Sequence, residues 1–362
     1  MSVNQKLLVF AGSYAETEDH SIYSFVMNEA SGELTQLDQV SGFKNPTFLN
    51  VDAEQRRLYA ISEATTAEGK KAGEAASFAF DPISGSIKLL NRALTVSGPT
   101  CHIQRDDQKP YLIVVSYHGG MAGLLEITDN GEIGQLLDTQ QHEGKGAHPE
   151  RQDRPHPHST FFSPDGRFVL IQDLGLDKIF IYAIDRENGK LNLHGTTNTH
   201  PGAGPRHLAF HPNGNYAFVI NEVDSSITSY AWNQQEGTLT SIETVPTLPA
   251  GGFAGENTTA EIAVSNDGRF LYGSNRGHDS IVVHAIDPES GRLTLVQHES
   301  TQGGHPRHFA MTPNGQYLLC ANRDGNNIVT FRVDQESGRI SPTGNSITVS
   351  KPVCVQPVYV NV

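Results

Sequence analysis

Short apolar runs separated by turn residues recur along the whole chain. The runs are rich in Val, Ile, Leu, Phe and Tyr, as in FVLIQDL and LYGSN. They are bounded by Pro-Asn-Gly, Asp-Gly or Ser-Gly, in which Gly and Asn accept the positive φ that tight turns need. No stretch keeps an apolar period of 3.6 residues over several turns. The pattern predicts short antiparallel strands joined by hairpins.

The predicted strands fall into a repeated unit. Residues 204–222 read GPRHLAFHPNGNYAFVINE, and residues 305–323 read HPRHFAMTPNGQYLLCANR. Equivalent copies begin at His156 and Thr258, and weaker copies begin at Asn45 and Gly98. Each copy continues with a third apolar run, a turn that ends in Gly and a fourth run. Four strands in roughly 40 to 55 residues match one blade of a β-propeller.

The two ends of the chain complete one further unit. LLVFAGSY, SIYSFVMN and LTQLDQV supply three strands near the N-terminus, and PVCVQPVYV supplies the innermost strand from the C-terminus. Joining both ends in one blade closes the ring and removes open sheet edges. The sequence therefore predicts an all-β, seven-bladed β-propeller of four antiparallel strands per blade, as a single domain over residues 1–362. Polar insertions at residues 64–76 and 142–154 are expected to form loops at the rim.

The repeat register brings polar residues from different blades to one place. The positions eight residues before and eight residues after the turn glycine of each copy return to the same edge of the hairpin. In a propeller, that edge surrounds the mouth of the central channel. The earlier positions are His158, Arg206, Ala260 and Arg307. The later positions are Leu174, Glu222, Arg276 and Arg323, joined from the weaker copies by Tyr14, Glu63 and Tyr117.

These charged residues have two interpretations. An arginine of a Pro-Arg-His motif can tie neighbouring blades through carbonyl groups, and the repetition of His207 and His308 favours blade packing for both. Asp173 and Asp177 can cap the turn between them or contact a ligand. Several cations buried in one channel mouth are nevertheless costly without an anionic partner. The set as a whole therefore indicates a functional site.

Composition and charge limit which binding partners and which cellular compartment are expected. The formal net charge of −14 argues against general binding to nucleic acid or anionic membranes, so an anion site has to be locally basic. The three cysteines are too widely spaced for a disulfide framework or a zinc knuckle. We find no pattern of a signal peptide or spanning helix, which favours a soluble cytoplasmic protein. The sequence does not set the oligomeric state.

Motifs for metals, cofactors and covalent catalysis lack support. His156 and His158 would face the same side of a strand, and His148 could be a third ligand, but no cysteine or carboxylate pair completes the set. There is no G-x-S-x-G elbow, phosphate-binding loop or dinucleotide fingerprint. We therefore expect no metal and no cofactor.

Seven short motifs, in this order and at blade spacing, carry a family resemblance. They are GSY near the N-terminus, PHS at 157–159, DLGLD at 173–177, GPRH at 204–207, NE at 221–222, SNRGHD at 274–279 and HPRHF at 305–309. The chain resembles the lactonase family of seven-bladed propellers, which includes propeller-type 6-phosphogluconolactonases and, as a relative, the fungal carboxy-cis,cis-muconate cyclase. The resemblance implies a catalytic site made of His158, Arg206, Glu222 and Arg276, the residues that the register also selects.

The implied reaction is hydrolysis of a small anionic sugar lactone, foremost 6-phospho-glucono-1,5-lactone to 6-phosphogluconate in the pentose phosphate pathway. Arg206 or Arg276 would stabilise the developing oxyanion. His158 is favoured over Glu222 as the general base, because neighbouring arginines would lower the pKa of Glu222. The expected substrate-binding residues are Arg307 and Arg323, which would hold the phosphate, with His207, Asp173 and Tyr117.

Two other functions fit the same residues. One is a cycloisomerase or lactonase that acts on a carboxylated, non-phosphorylated compound, whose carboxylates the arginines would bind. The other is a non-enzymatic interaction platform, a role that many propellers have. A platform has no need of a charged channel mouth, so the arginines favour an enzyme. No nucleic acid or membrane partner is expected.

Overall fold

The computed structural model describes residues 5–362, in which the chain forms seven four-stranded antiparallel sheets arranged in a ring. Blade 1 joins both ends of the chain and contains β1 (Gln5–Ser13), β2 (Ile22–Met27), β3 (Leu34–Val40) and β28 (Pro352–Asn361). Blade 2 contains β4 (Leu49–Asp52), β5 (Arg57–Thr65), β6 (Lys71–Phe80) and β7 (Ile87–Ser97). The predicted all-β propeller is confirmed.

Blades 3 to 7 follow one another along the chain. Blade 3 contains β8 (His102–Arg105), β9 (Tyr111–Ser116), β10 (Met121–Ile127) and β11 (Ile133–Gln141). Blade 4 contains β12 (Pro157–Phe162), β13 (Phe168–Asp173), β14 (Lys178–Asp185) and β15 (Lys190–Asn198). Blade 5 contains β16 (Pro205–Phe210), β17 (Tyr216–Asn221), β18 (Ser226–Asn233) and β19 (Thr238–Pro246).

The last two blades repeat the arrangement. Blade 6 contains β20 (Thr258–Val264), β21 (Phe270–Arg276), β22 (Ser280–Ile286) and β23 (Leu293–Ser300). Blade 7 contains β24 (Pro306–Met311), β25 (Tyr317–Asn322), β26 (Asn327–Val333) and β27 (Ile340–Thr348). Helical structure in the described chain is limited to one 3-10 turn, Leu174–Leu176, within the DLGLD motif. Among residues 5–362 no helix has the length and apolarity needed to cross a bilayer.

The ring closes where the C-terminal strand pairs with the N-terminal strand. β28 is antiparallel to β1 from Asn361 opposite Gln5 to Pro352 opposite Ser13, and it is the innermost strand of its blade. The predicted pairing of the two termini is therefore confirmed. Every blade then has a neighbour on both sides, so the sheets leave only their outer strands exposed.

Packing between blades explains the apolar pattern. The second strands are buried along their length, whereas outer strands such as β15 and β19 alternate exposed and partly buried residues. Side chains of adjacent blades interdigitate, as Leu170 of blade 4 does with Val219 and Trp232 of blade 5 in one apolar cluster. The burial of both faces of each inner strand fixes the blades around the channel.

The two insertions behave differently. Residues 64–76 do not form a loop, because β5 and β6 continue as a long hairpin that turns only at residues 66–70. The pairing of Ala64 with Ala72 and of Thr65 with Lys71 satisfies backbone groups that a loop would leave to water. Residues 142–154 do form a loop, which lies beside blade 4.

Candidate active site

A β-bulge near the start of the inner strands of blades 4 to 7 turns selected side chains into the channel. In β12, β16 and β24 the pairing with the second strand skips one residue, and the skipped residues are His158, Arg206 and Arg307. In β20 the pairing skips Ala260 and Glu261. A bulged residue leaves the ladder and re-aims its side chain. The bulges therefore explain how polar and charged side chains can occur at these positions, although the strand residues around them are apolar.

A cavity of about 230 Å³ lies at this end of the channel. It is lined by residues of several blades and of the 142–154 loop: Tyr14, Thr47, Glu63, Pro99, Thr100, Cys101, Tyr117, His118, Arg151, His158, Glu222 and Arg307. Both cations of the lining, Arg151 and Arg307, lie in a wall that also presents two imidazoles and two carboxylates, of which Glu222 is already paired with arginines. This composition suits a small, polar, anionic ligand.

Glu222 is the centre of a buried ion cluster. Its Oε2 lies 2.9 Å from Nε of Arg206 and 2.7 Å from Nη2 of Arg276, and its Oε1 pairs with Arg151. Although burial raises the pKa of Glu222, the charges of Arg276, Arg206 and Arg151 outweigh it and hold that pKa well below its ordinary range. Glu222 is therefore ionised at neutral pH and is a weak base.

Arg206 and Arg276 hold Glu222 from behind the cavity wall. Both are at least nine-tenths buried, and they also donate to backbone carbonyls, Arg206 to Ala260 at 2.6 Å and Arg276 to Thr259. Burial and the nearby charge of Arg276 lower the pKa of Arg206 to about 9, which still leaves it protonated at neutral pH. Neither lines the cavity, so their geometry suits positioning of Glu222.

Arg151 is the cation of this cluster that reaches the cavity. Its side chain is 36% exposed and lines the cavity wall. The loop that carries it is anchored, because His148 Nδ1 accepts the Arg151 N–H at 3.1 Å and Gln152 Nε2 donates to Leu174 O at 2.8 Å. The sequence did not identify Arg151, because it lies in an insertion to which the blade register does not apply.

His158 lies on the cavity wall beside Tyr117, whose ring centre is 5.8 Å away. Its Nδ1 is buried and has no hydrogen-bond partner among residues 5–362. Burial, together with the charge of Arg206, holds the pKa of His158 well below its ordinary range. The imidazole is therefore neutral at physiological pH and has a free lone pair.

The two arginines expected to hold a phosphate have different surroundings. Arg307 lies on the cavity wall, with Cζ 5.5 Å from the ring centre of Tyr14, and it makes no hydrogen bond or ion pair within the described chain. Arg323 binds Asp324 through both Nε and Nη2, at 2.7 and 3.0 Å. It lies in a separate rim pocket of about 480 Å³. Only Arg307 is placed in the cavity.

Of the remaining expected residues, Tyr117 lines the cavity, whereas Asp173 and His207 do not. Asp173 accepts a hydrogen bond from the N–H of His156 at 2.8 Å and contacts His142 Nδ1 at 2.6 Å, so it ties the 142–154 loop to blade 4. His207 lies deeper in the channel, bound to Glu261 at 3.0 Å.

The histidines considered as metal ligands point elsewhere. His148 serves the backbone of its own loop, and His156 contacts the carbonyl of Tyr117 at 2.9 Å. In the part of the chain that the structure describes, no three His, Cys, Asp or Glu side chains are arranged to hold a metal ion. Asp177 accepts the N–H groups of Gly202 and Gly204, which lie in the connection between β15 and β16.

Comparisons with known proteins agree with this architecture. A family model described as a lactonase, 7-bladed beta-propeller, matches residues 8–357. A 6-phosphogluconolactonase of Bacillus subtilis is 34% identical over 309 residues, which cover 85% of this chain and 86% of that protein. The structure of the periplasmic gluconolactonase PpgL of Pseudomonas aeruginosa superposes with a TM-score of 0.90 at 31% identity, covering 98% of this chain and 99% of the other. The chain therefore belongs to the lactonase family of seven-bladed β-propellers and is a lactone-hydrolysing enzyme.

Proposed function

We propose that the enzyme hydrolyses 6-phospho-glucono-1,5-lactone in the 230 Å³ cavity, with Arg307 binding the phosphate. The observation that carries the proposal is the unpaired guanidinium of Arg307, which shares the cavity with His158, Arg151 and Glu222. A cation without a carboxylate partner in a cavity of the fold is available to an anion of the substrate. The name of the Bacillus subtilis relative supports the same substrate.

Hydrolysis requires a base, an oxyanion partner and a proton donor for the leaving oxygen. His158, neutral and on the cavity wall, takes a proton from the attacking water while the water oxygen bonds to the lactone carbonyl carbon. The negative charge that develops on the carbonyl oxygen is stabilised by Arg151. When the bond to the ring oxygen breaks, the imidazolium of His158 returns its proton to that oxygen.

The carboxylate of Glu222 is better suited to hold Arg151 than to take a proton. Both of its oxygens are engaged by guanidinium groups, which leaves no free site for a proton from water, whereas the imidazole of His158 is neutral and unpaired. Arg206 and Arg276 keep that carboxylate ionised and fixed. We therefore assign oxyanion stabilisation to Arg151, and not to Arg206 or Arg276 as the sequence suggested.

Charge in the two pockets favours Arg307 over Arg323 as the phosphate ligand. The rim pocket around Arg323 also contains Lys351, but Glu16, Asp19 and Asp324 give it an acidic excess. The planar guanidinium of Arg307 can bind two phosphate oxygens at once. Because a sugar phosphate does not cross a bilayer unaided, this substrate would place the reaction in the cytoplasm.

A non-phosphorylated lactone is the second candidate substrate. The Pseudomonas aeruginosa relative is named a periplasmic gluconolactonase, and a single unpaired guanidinium can bind a carboxylate or a sugar hydroxyl as well as a phosphate. Binding of the phosphorylated lactone should depend more strongly on Arg307 than binding of a non-phosphorylated lactone. Carboxylated compounds belong to the second group. The non-enzymatic platform is set aside because the chain belongs to a lactonase family.

The test compares phosphorylated and non-phosphorylated lactones by proton release, with the rate of spontaneous opening subtracted. We expect the wild type to favour 6-phosphogluconolactone, and Arg307→Met to raise its KM about 30-fold or more, as loss of a charge-assisted bidentate contact predicts. The KM of Arg307→Met for glucono-1,5-lactone should stay within about twofold of wild type.

Arg323→Met is the matched control, because it removes a guanidinium from the neighbouring pocket. It should leave both KM values close to wild type. An equal loss on both lactones in Arg307→Met would contradict the phosphate assignment. A wild type that opens only the non-phosphorylated lactone would favour the second candidate.

A further inference from the structure

A buried cluster of ionisable groups lies in the channel, deeper than the cavity lining. His207, Glu261 and His308 come from the consecutive blades 5, 6 and 7, and each is at least nine-tenths buried. The Glu261 carboxylate lies between the two imidazoles: Oε1 is hydrogen-bonded to His207 Nδ1 at 3.0 Å, whereas Oε2 lies 3.2 Å from His308 Nε2 and has no hydrogen bond among residues 5–362. Oε1 also accepts the N–H of Ile262 at 3.0 Å. Two hydrogen bonds to one oxygen hold the buried carboxylate in one orientation.

The hydrogen-bond partners assign the tautomers of both imidazoles. The backbone N–H of Val355 donates to His308 Nδ1 at 3.3 Å, so the proton of His308 is on Nε2 and faces Glu261. An ionised carboxylate accepts and does not donate, so His207 presents Nδ1–H to Glu261. The lone pair of His207 is then on Nε2.

Two buried ring nitrogens between this cluster and the cavity lack partners. Neither Nε2 of His207 nor Nδ1 of His158 has a hydrogen-bond partner among residues 5–362. The ring centres of His158 and His207 are 5.3 Å apart without a direct hydrogen bond, a separation that one bridging water can span. The ring of His102, whose two nitrogens are also buried and unpartnered within the described residues, lies equally close to His207 but does not line the cavity. Because the lone pair of His207 is on Nε2, the stable complement is a proton on Nδ1 of His158. That tautomer leaves the lone pair of His158 on Nε2, the nitrogen that remains for water in the cavity.

We propose that Glu261 is a positioning residue, which acts through His207 to hold His158 in the tautomer that accepts a proton from water. This inference rests on the proposed role of His158 as the base. It gives one function to three features that the reaction scheme above leaves unused: the carboxylate bridge, the orientation of His207 and the orphaned Nδ1 of His158.

The proposal predicts that activity falls at low pH as Glu261 becomes protonated. The groups that face it are His207, His308, Arg206 and Arg307, and the groups that face His158 are Arg206, His207, Arg307 and Arg276. Burial raises the pKa of Glu261 although His308 and Arg206 oppose it. Burial lowers the pKa of both His207 and His308, so these imidazoles stay neutral while Glu261 titrates.

Protonation of Glu261 would reverse the direction of the hydrogen bonds that run from Glu261 through His207 to His158. A protonated carboxyl can donate to His207 Nδ1, which moves the proton of His207 to Nε2 and removes the acceptor for His158 Nδ1–H. Activity should therefore be full while Glu261 is ionised and fall as the pH drops through its raised pKa. Below that pH, His158 loses the tautomer that the reaction needs.

The experiment measures kcat and KM against pH, between about pH 4 and pH 8, for wild type and Glu261→Gln. We expect kcat of Glu261→Gln to fall about tenfold or more with KM within about twofold. Because an amide does not titrate, the part of the acid limb that Glu261 causes should disappear, which leaves only the protonation of His158 itself. His102→Phe is the matched control, because the ring of His102 lies as close to His207 as that of His158, at 5.3 Å, and also has unpartnered nitrogens. The variant therefore tests whether His207 acts through His158 or through His102. It should keep the wild-type kcat and acid limb.

Nitrogen-15 NMR of histidine-labelled wild type provides a readout that needs no folded Glu261 variant. We expect protons on Nδ1 of both His158 and His207 near neutral pH, with resonances assigned from single His→Asn variants. An Nε2–H tautomer at either residue would overturn the proposal. So would a wild-type acid limb in Glu261→Gln, or a loss in His102→Phe that matches it. If His158→Asn remains fully active, the proposed base itself fails, whatever Glu261 does.

Discussion

At the scale of single residues, the site depends on which guanidinium has a free face. Arg206, Arg276 and Arg151 all bind Glu222, yet only Arg151 also lines the cavity. The roles of similar side chains therefore differ through burial. A buried arginine whose N–H groups are engaged can hold a neighbour, whereas an accessible one can meet the charge of a transition state.

Glu222 should contribute to stability because it neutralises buried cations. Glu222→Gln leaves Arg206 and Arg276 without their carboxylate, and we expect a loss of about 3 kcal/mol in the free energy of unfolding at neutral pH, measured by urea denaturation. The pKa of Glu222 is lowered in the folded state, so its contribution is complete above the pKa of the unfolded chain and is lost as the pH falls toward the folded value. The difference between wild type and variant should shrink below about pH 4.

A surface ion pair provides the comparison for Glu222. Glu16 pairs with Lys44 at 2.9 Å, but both side chains are well exposed. Glu16→Gln should leave the urea midpoint nearly unchanged, because solvent screens such a pair. Equal effects of the two substitutions would contradict the buried clamp on Glu222.

At the scale of elements, two irregular features create the site. The bulges in β12, β16 and β24 direct His158, Arg206 and Arg307 into the channel. The 142–154 loop then brings Arg151 over the edge of blade 4. Regular strands build the ring, and departures from regular pairing supply the chemistry.

The 142–154 loop should affect kcat, because it carries Arg151. Arg151→Met keeps the length of the side chain but removes the cation, and we expect kcat to fall about 100-fold or more because an oxyanion donor is lost. The measurement is the steady-state rate of lactone opening. Arg154→Met changes an exposed arginine of the same loop and should retain wild-type kcat. Equal losses in both variants would show that the loop, and not the Arg151 guanidinium, is responsible.

At the scale of the whole molecule, closure of the ring holds the site together. The cavity takes residues from Tyr14 of blade 1 to Arg307 of blade 7, so its shape depends on every blade between them. β28 seals the ring by pairing with β1. Without it, β1 becomes an open edge in a sheet that is otherwise buried.

Removal of residues 352–362 should therefore prevent folding of a soluble monomer, as judged by size-exclusion chromatography and thermal unfolding. A circular permutant is the matched control, because Gln5 and Asn361 are paired neighbours and a short linker can join the ends. With new termini in the exposed segment at 250–256, the permutant should fold and keep its activity. A truncated chain as stable as wild type would contradict closure by β28.

Sequence alone was enough to predict the seven blades, the joining of both ends in blade 1 and the register that brings His158, Arg206, Glu222 and Arg276 to one end of the channel. These properties follow from apolar periodicity and turn chemistry, which are local and repeat in every blade. Glu261 occupies the same register position as His207 and His308, so the repeat contained the signal for it. Glu261 was not predicted as a site residue, because the role of a single carboxylate at a position otherwise occupied by imidazoles depends on the side chains that surround it.

The folded structure was needed to show which residues line the cavity. Arg151 enters from an insertion outside the repeat, Arg323 pairs with Asp324, and Asp173 and His207 bind other side chains of the protein. The 64–76 segment is a hairpin because its backbone continues the pairing of β5 with β6. Burial, charge pairing and cavity shape depend on atoms from distant parts of the chain. No local pattern contains them, whereas blades repeat one local pattern and can be predicted from it.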